Sequence, residues 1–139
     1  MKLILNIEPK PQSRPRFARR GNFTTTYEDK DMKIWRNQCR LLIANLYMGQ
    51  HVLEGALKAG VKFYIKPPQY ISKPKKNQQA LMDETIPVGK KPDLDNYIKA
   101  LFDSANGILY QDDGQIAELY ASKFYSIKPR IELKIERKI

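Results

Sequence analysis

KPDLDNYIKALFDSANGILYQDDGQI, residues 91–116, is the stretch from which the rest of the chain can be read. Leu94, Ile98, Leu101, Phe102 and Ala105 recur at three- and four-residue steps, the spacing of one face of an α-helix. Asn106-Gly107 supplies a stop for that helix. Gln111-Asp112-Asp113-Gly114 reads as a turn. Beyond it, Ile116 to Ile127 and Arg130 to Ile135 read as strands, the second alternating cleanly at Ile131, Leu133 and Ile135.

Working back from residue 91, Lys66 to Lys91 is a long polar stretch with no regular period. A structureless loop of that length in a compact domain is commonly functional or mobile. Before it, Ala59, Val61, Phe63 and Ile65 alternate as a strand that stops at Pro67-Pro68. Asp29 to Tyr47 carries Met32, Trp35, Cys39, Leu42, Ile43 and Leu46 at helical spacing, and its acidic start suits the positive end of a helix dipole. Lys10 to Arg20 holds five bases and no acid among prolines, the pattern of a basic loop or arm and not of a regular element. Lys2 to Glu8 alternates with Leu3, Leu5 and Ile7 on one face. The order is strand, helix, strand, helix, strand, strand. It predicts a single α/β (α+β) domain over residues 1–139, with a mixed β-sheet of about four strands packed with two main helices.

Composition bounds what such a domain does. The chain of 139 residues has a formal charge of +10, but residues 93–118 hold six acids and one base. That window is −5 and the remainder +15. A basic body attracts polyanions, nucleic acid above all. An acidic island within it repels the same partner unless a divalent cation reverses the local sign. No stretch has the length of a membrane span, no secretory leader is visible at Met1 to Pro9, and the lone Cys39 has no partner for an internal disulfide. These features predict a cytoplasmic protein.

The island has its own chemistry. In an extended segment, residues two apart point the same way, so Asp93 and Asp95 can share one cation. Lys99 lies one helical turn beyond Asp95, within about 40° of it on the helix surface. Mg²⁺ takes oxygen ligands, often one or two carboxylates together with substrate phosphate oxygens. Three aspartates without a His or Cys cluster suit it better than zinc. Spacing alone favours a plainer reading: two acids starting a helix, with Lys99 as an i,i+4 partner.

The same stretch resembles the signature of the RusA family of Holliday junction resolvases of bacteria and their phages. Asp93-Leu94-Asp95-Asn96 with Lys99-Ala100, and then Asp112-Asp113-Gly114-Gln115-Ile116, match that pattern at each of its positions. KPQSRPRF, residues 10–17, is similar to the basic N-terminal segment of phage-type members. The specific match covers about a fifth of the chain. The resemblance implies an Mg²⁺-dependent endodeoxyribonuclease, with Mn²⁺ as a possible substitute. It would act as a homodimer and resolve four-way DNA junctions by paired phosphodiester hydrolysis in recombination and repair. It implies Asp93, Asp95 and Asp113 as metal ligands and Lys99 as the catalytic lysine. Asp112 and Asn96 are expected to support the site, and Asp103 to cap, pair or face water outside it.

Arg14, Arg16, Arg19 and Arg20 on the arm, and Lys73, Lys75, Lys76, Lys90 and Lys91 in the long polar stretch, are expected as a set to contact DNA phosphates. Two other functions fit the basic surfaces: a module that binds branched nucleic acid without cutting it, and a nuclease of broader taste acting on flaps or forks.

Overall fold

Alternation along the strands decides which way the sheet faces. The computed structural model describes residues 1–13, 16–21, 23–27 and 29–138, and for 16–20 and 23–27 it describes the backbone alone. The strands are β1 (Lys2–Leu5), β2 (Arg16–Arg20), β3 (Phe23–Tyr27), β4 (Leu57–Ile65), β5 (Ile116–Tyr125) and β6 (Arg130–Arg137). The helices are α1 (Lys30–Leu46), α2 (Gln69–Ser72), α3 (Gln78–Asp83) and α4 (Leu94–Ala105), with 3₁₀ turns at Lys75–Asn77 and Asp113–Gln115. Four strands form a sheet in the order β1-β6-β4-β5. β5 runs parallel to β4, whereas β6 is antiparallel to both β4 and β1, so the sheet is mixed. A parallel pair needs a crossover connection, and the residues from α2 to α4 supply it.

One face of this sheet is dry. Leu3, Leu5, Leu57, Ala59, Val61, Phe63, Ile131, Leu133 and Ile135 are buried beneath α1 and α4 in one cluster. Each large side chain fully buried there contributes about 2 kcal/mol. α1 inserts Met32, Trp35, Cys39 and Ile43, and its start is capped by Asp29, which accepts from the Asp31 amide at 2.9 Å. The Trp35 indole donates to the Glu8 carbonyl at 2.8 Å, tying α1 to the chain leaving β1. α4 buries Tyr97, Ala100, Leu101, Phe102, Ser104 and Ala105. Its last carbonyls, which lack partners within the helix, are met from α1: Arg40 donates to Ser104 at 3.1 Å and to Asn106 at 2.9 Å. The two helices are therefore locked end to side.

Two expectations are corrected. Residues 16–20 of the basic arm form a strand, paired with residues 23–27 in a two-stranded hairpin. Gly21 sits at φ 60, a conformation that glycine adopts without steric cost, and turns the chain between them. The Phe-Thr-Thr-Thr-Tyr run supplies β-favouring residues, a signal masked by the charge beside it. Residues 66–91 are not structureless either. They contain α2, a 3₁₀ turn and α3, packed through Leu81 and Val88 on Tyr125, with Ile65, Ile71 and Ile86 around them. Glu84 ends α3 at φ 60, and its carboxylate accepts from Arg130 at 2.6 and 2.9 Å and from Ser126 Oγ at 2.6 Å. That Arg130 guanidinium, 4.0 Å from the Tyr64 ring centroid, bolts the segment to the sheet. Among the described residues no helix is long and apolar enough to cross a membrane.

Candidate active site

α4 carries the acids of interest along one side. Asp93 is its N-cap residue and Asp95 lies in its first turn. Lys99 follows one turn later and Asp103 one turn after that, in i,i+4 steps that bring side chains together on a helix surface. Asp93 makes no capping bond to the helix. Neither Asp93 nor Asp95 has an ion pair or side-chain hydrogen bond among the described residues, and both are exposed. Their oxygens are free for an outside ligand. The Asn96 amide donates to the Asp93 carbonyl at 3.1 Å, while the Asn96 carbonyl accepts from the Gln12 amide at 2.9 Å. The basic N-terminal arm thus passes directly beside the start of α4.

Asp113 reaches the same helix from a different part of the chain. After α4, Leu109 and Tyr110 are buried, and the Tyr110 hydroxyl donates to the Phe102 carbonyl at 2.8 Å, which folds the connection back. Burial, with Asp113, Asp103 and Asp112 nearby, keeps that phenol neutral. Asp112 and Gln115 then form a capping box around the 3₁₀ turn that begins at Asp113. A Cβ at Gly114 would lie 2.8 Å from an Asp112 carboxylate oxygen that its amide already engages, so a larger residue there would make that side chain shift. The Asp113 amide donates to Asn106 Oδ1 at 3.0 Å.

The result is that Lys99 stands between two acids. Its ammonium lies 2.9 Å from Asp103 and 3.5 Å from Asp113. The hydrogen bond with Asp103, and to a smaller degree the charge of Asp113, raise the Lys99 pKa above the ordinary lysine value, so it is a cation at neutral pH. Asp103, expected outside the constellation as a capping, pairing or water-facing acid, is the closer partner of Lys99. Among the described residues, no three of Asp, Glu, His and Cys come together to hold a metal ion. Two uncommitted carboxylates at Asp93 and Asp95, all-oxygen in character, nonetheless fit the way Mg²⁺ uses one or two carboxylates and takes its remaining ligands from water and substrate phosphate.

Of the candidate DNA-binding residues, Lys73, Lys75, Lys76, Lys90 and Lys91 are exposed. None pairs with an acid among the described residues. Lys90 lies 4.5 Å from the Tyr70 ring centroid. Arg14 lies outside the described residues, as do the side chains of Arg16, Arg19 and Arg20 on β2.

Sequence reading left the supporting role of three residues unassigned. Asn106 was legible only as a helix stop. Gln115 was visible only as part of the matched Asp112-to-Ile116 pattern, yet its donations to the carbonyls of Leu53 at 3.0 Å and Gly55 at 3.1 Å join segments some sixty positions apart. Lys123 donates to the carbonyls of Lys90 at 2.6 Å and Pro92 at 2.7 Å, a contact that nothing in its local sequence announces.

Comparison with known proteins covers nearly the full length of the chain. Residues 6–136 match the family model described as Endodeoxyribonuclease RusA. A protein of Bacillus subtilis (strain 168), named Uncharacterized protein YqaN, is 33% identical over 135 residues, covering 97% of this chain and 94% of that protein. The chain belongs to the RusA endodeoxyribonuclease family, whose members are Holliday junction resolvases.

Proposed function

We propose that this protein is a divalent-metal-dependent resolvase that cuts four-way DNA junctions in pairs as a homodimer in the cytoplasm, with Mg²⁺ its natural cation and Mn²⁺ a substitute. The observation that carries this reading is the pair of uncommitted carboxylates at the head of α4, one helical turn from a lysine held between two further acids. Asp93, Asp95 and Asp113 would hold the cation. When bound, it would supply polarisation of the scissile phosphate and a lowered pKa for the attacking water.

The chain's own groups do the rest. Lys99 offsets the negative charge that builds on the phosphate and the leaving oxygen as water adds to phosphorus and the P–O bond breaks. Its 3.5 Å link to Asp113 is the looser of its two, which leaves the ammonium able to meet a phosphate. Asp103 keeps the ammonium in place. Asp112, through its capping box, and Asn106, through the Asp113 amide, hold the turn. Asn96 links the arm to the helix start through its backbone. The unpaired lysines of residues 73–91 and the arginines of the arm hold flanking phosphates. Two-fold symmetry in the dimer presents one site to each of two related strands.

The test is a panel of labelled substrates (four-way junction, fork, flap and linear duplex) at one salt concentration, with and without Mg²⁺. The proposal expects symmetric nicked-duplex products from the four-way junction, dependent on the cation, and slower cutting elsewhere. Tight junction binding with no product under any cation would make the protein a non-cleaving binder. Equal cutting of flaps or forks would make it a broader nuclease.

A further inference from the structure

β5 is the edge strand of the sheet, but its outer side is not bare. The Val88 amide donates to the Lys123 carbonyl at 3.0 Å, and the Tyr125 amide donates to the Ile86 carbonyl at 3.0 Å. Pro87 bridges Phe124 between them in antiparallel sense. From this short added strand the chain has four residues, 89–92, in which to reach Asp93. Lys123, at the end of the pairing next to Val88, sends its side chain along that path. Its ammonium donates to the carbonyls of Lys90 and Pro92, on either side of Lys91, at 2.6 and 2.7 Å. Among the described residues it has no acidic partner, so its charge is spent on backbone.

The second of these bonds reaches the site. The Pro92 carbonyl oxygen and the Asp93 Cα belong to one planar peptide unit. Holding that oxygen therefore holds the Asp93 Cα, and the carboxylate is left only its own side-chain torsions. From the helix side the Asp93 backbone is held through its carbonyl, which accepts from the Asn96 amide, while its carboxylate makes no capping bond. Charge-assisted bonds are the stronger kind, and two of the three ammonium protons are used.

We infer that Lys123 is a positioning residue, which clamps the peptide entering α4 and so sets where the Asp93 carboxylate meets a divalent cation. The inference rests on the metal-dependent reading of Asp93 given above. Groups that orient a metal ligand typically change metal affinity or activity by about 10- to 100-fold when removed.

The experiment measures Mn²⁺ binding to the DNA-free protein by calorimetry, together with the Mg²⁺ concentration for half-maximal single-turnover cleavage of a four-way junction. Wild type, Lys123→Met, Lys123→Arg and Asp93→Asn are compared. Lys123→Met keeps the stem and loses the donors. It is expected to weaken Mn²⁺ binding roughly tenfold or more and to raise the half-saturating Mg²⁺ by a similar factor. Junction affinity without metal is expected to stay unchanged, and excess Mg²⁺ to recover most of the rate. Lys123→Arg restores two donors and is expected to lie nearer wild type. If Lys123→Met does not fold, Lys123→Gln, with a neutral donor, carries the same comparison. A folded Met or Gln variant with wild-type Mn²⁺ affinity and Mg²⁺ dependence overturns the inference. Should Asp93→Asn also bind Mn²⁺ like wild type, the metal reading of Asp93 falls and this inference with it. If Asp93→Asn loses Mn²⁺ and the Lys123 variants do not, the Lys123 inference alone falls.

Discussion

Replacing Gln115 with alanine removes one side chain and four hydrogen bonds. Its amide nitrogen donates to the carbonyls of Leu53 and Gly55 at 3.0 and 3.1 Å, and its oxygen accepts from the amides of Gln111 and Asp112 at 2.9 and 3.1 Å. Each such bond contributes about 0.5–1.5 kcal/mol net, and water can replace part of the three that are exposed. A loss of roughly 2–3 kcal/mol follows. With unfolding entropy near 2.1 cal/mol/K per residue, a chain of this length should melt about 7–10 °C lower. The Asp112 half of the capping box survives, because its carboxylate still accepts from the Gly114 amide at 2.9 Å. The turn should therefore persist but come loose from residues 53–55, and Asp113 with it. Calorimetric melting and single-turnover junction cleavage are the assays, with an expected rate loss on the order of tenfold from misplacement of one group. Gln115→Glu keeps both acceptor contacts, loses both donor contacts, and should fall between. A Gln115→Ala protein that melts within about 1 °C of wild type would refute the claim that these four bonds anchor the turn.

Two further outcomes follow from other contacts. The Arg130 guanidinium beside Glu84 holds that carboxyl below its usual range, so the pair stabilises the fold fully above the unfolded carboxylate value of about 4.3 and progressively less as pH falls through the folded one. Glu84→Gln should thus cost about 2 kcal/mol at pH 7, and melting curves of variant and wild type should converge in acid; a gap that widens on acidification would contradict the assignment. Lys75→Ala combined with Lys76→Ala should leave melting unchanged and lower the slope of log junction affinity against log salt by about 1–2, and an unaltered slope would remove both from the DNA contact set.

Much of the fold was legible because its core obeys two simple periods. The alternation at Ile131, Leu133 and Ile135, and the stripe Met32, Trp35, Cys39 and Ile43, each reappear as a buried face. What escaped reading was set by partners far along the chain. α3 has too few apolar positions to show a period, and its packing depends on Tyr125, more than forty residues away. The hairpin of β2 and β3 hid behind its arginines. At the site, the helix positions of Asp93, Asp95, Lys99 and Asp103 follow from spacing, since i,i+4 geometry is local. The approach of Asp113 to Lys99 does not; it arises from the Tyr110 anchor, the Asn106 link and the Gln115 ties across the fold. Lys123 lies furthest from local prediction, because a lysine in a strand gives no sign that its ammonium will seek two carbonyls on another segment.

Single-turnover cleavage of a four-way junction at saturating protein, wild type against Asp93→Asn and with Mg²⁺ titrated, bears most directly on the proposed site. Wild type should give paired nicked duplexes only when the cation is present, and Asp93→Asn should bind the junction equally well yet cut it roughly 100-fold more slowly or worse. Cleavage by Asp93→Asn at the wild-type rate and with the same Mg²⁺ dependence would contradict the account.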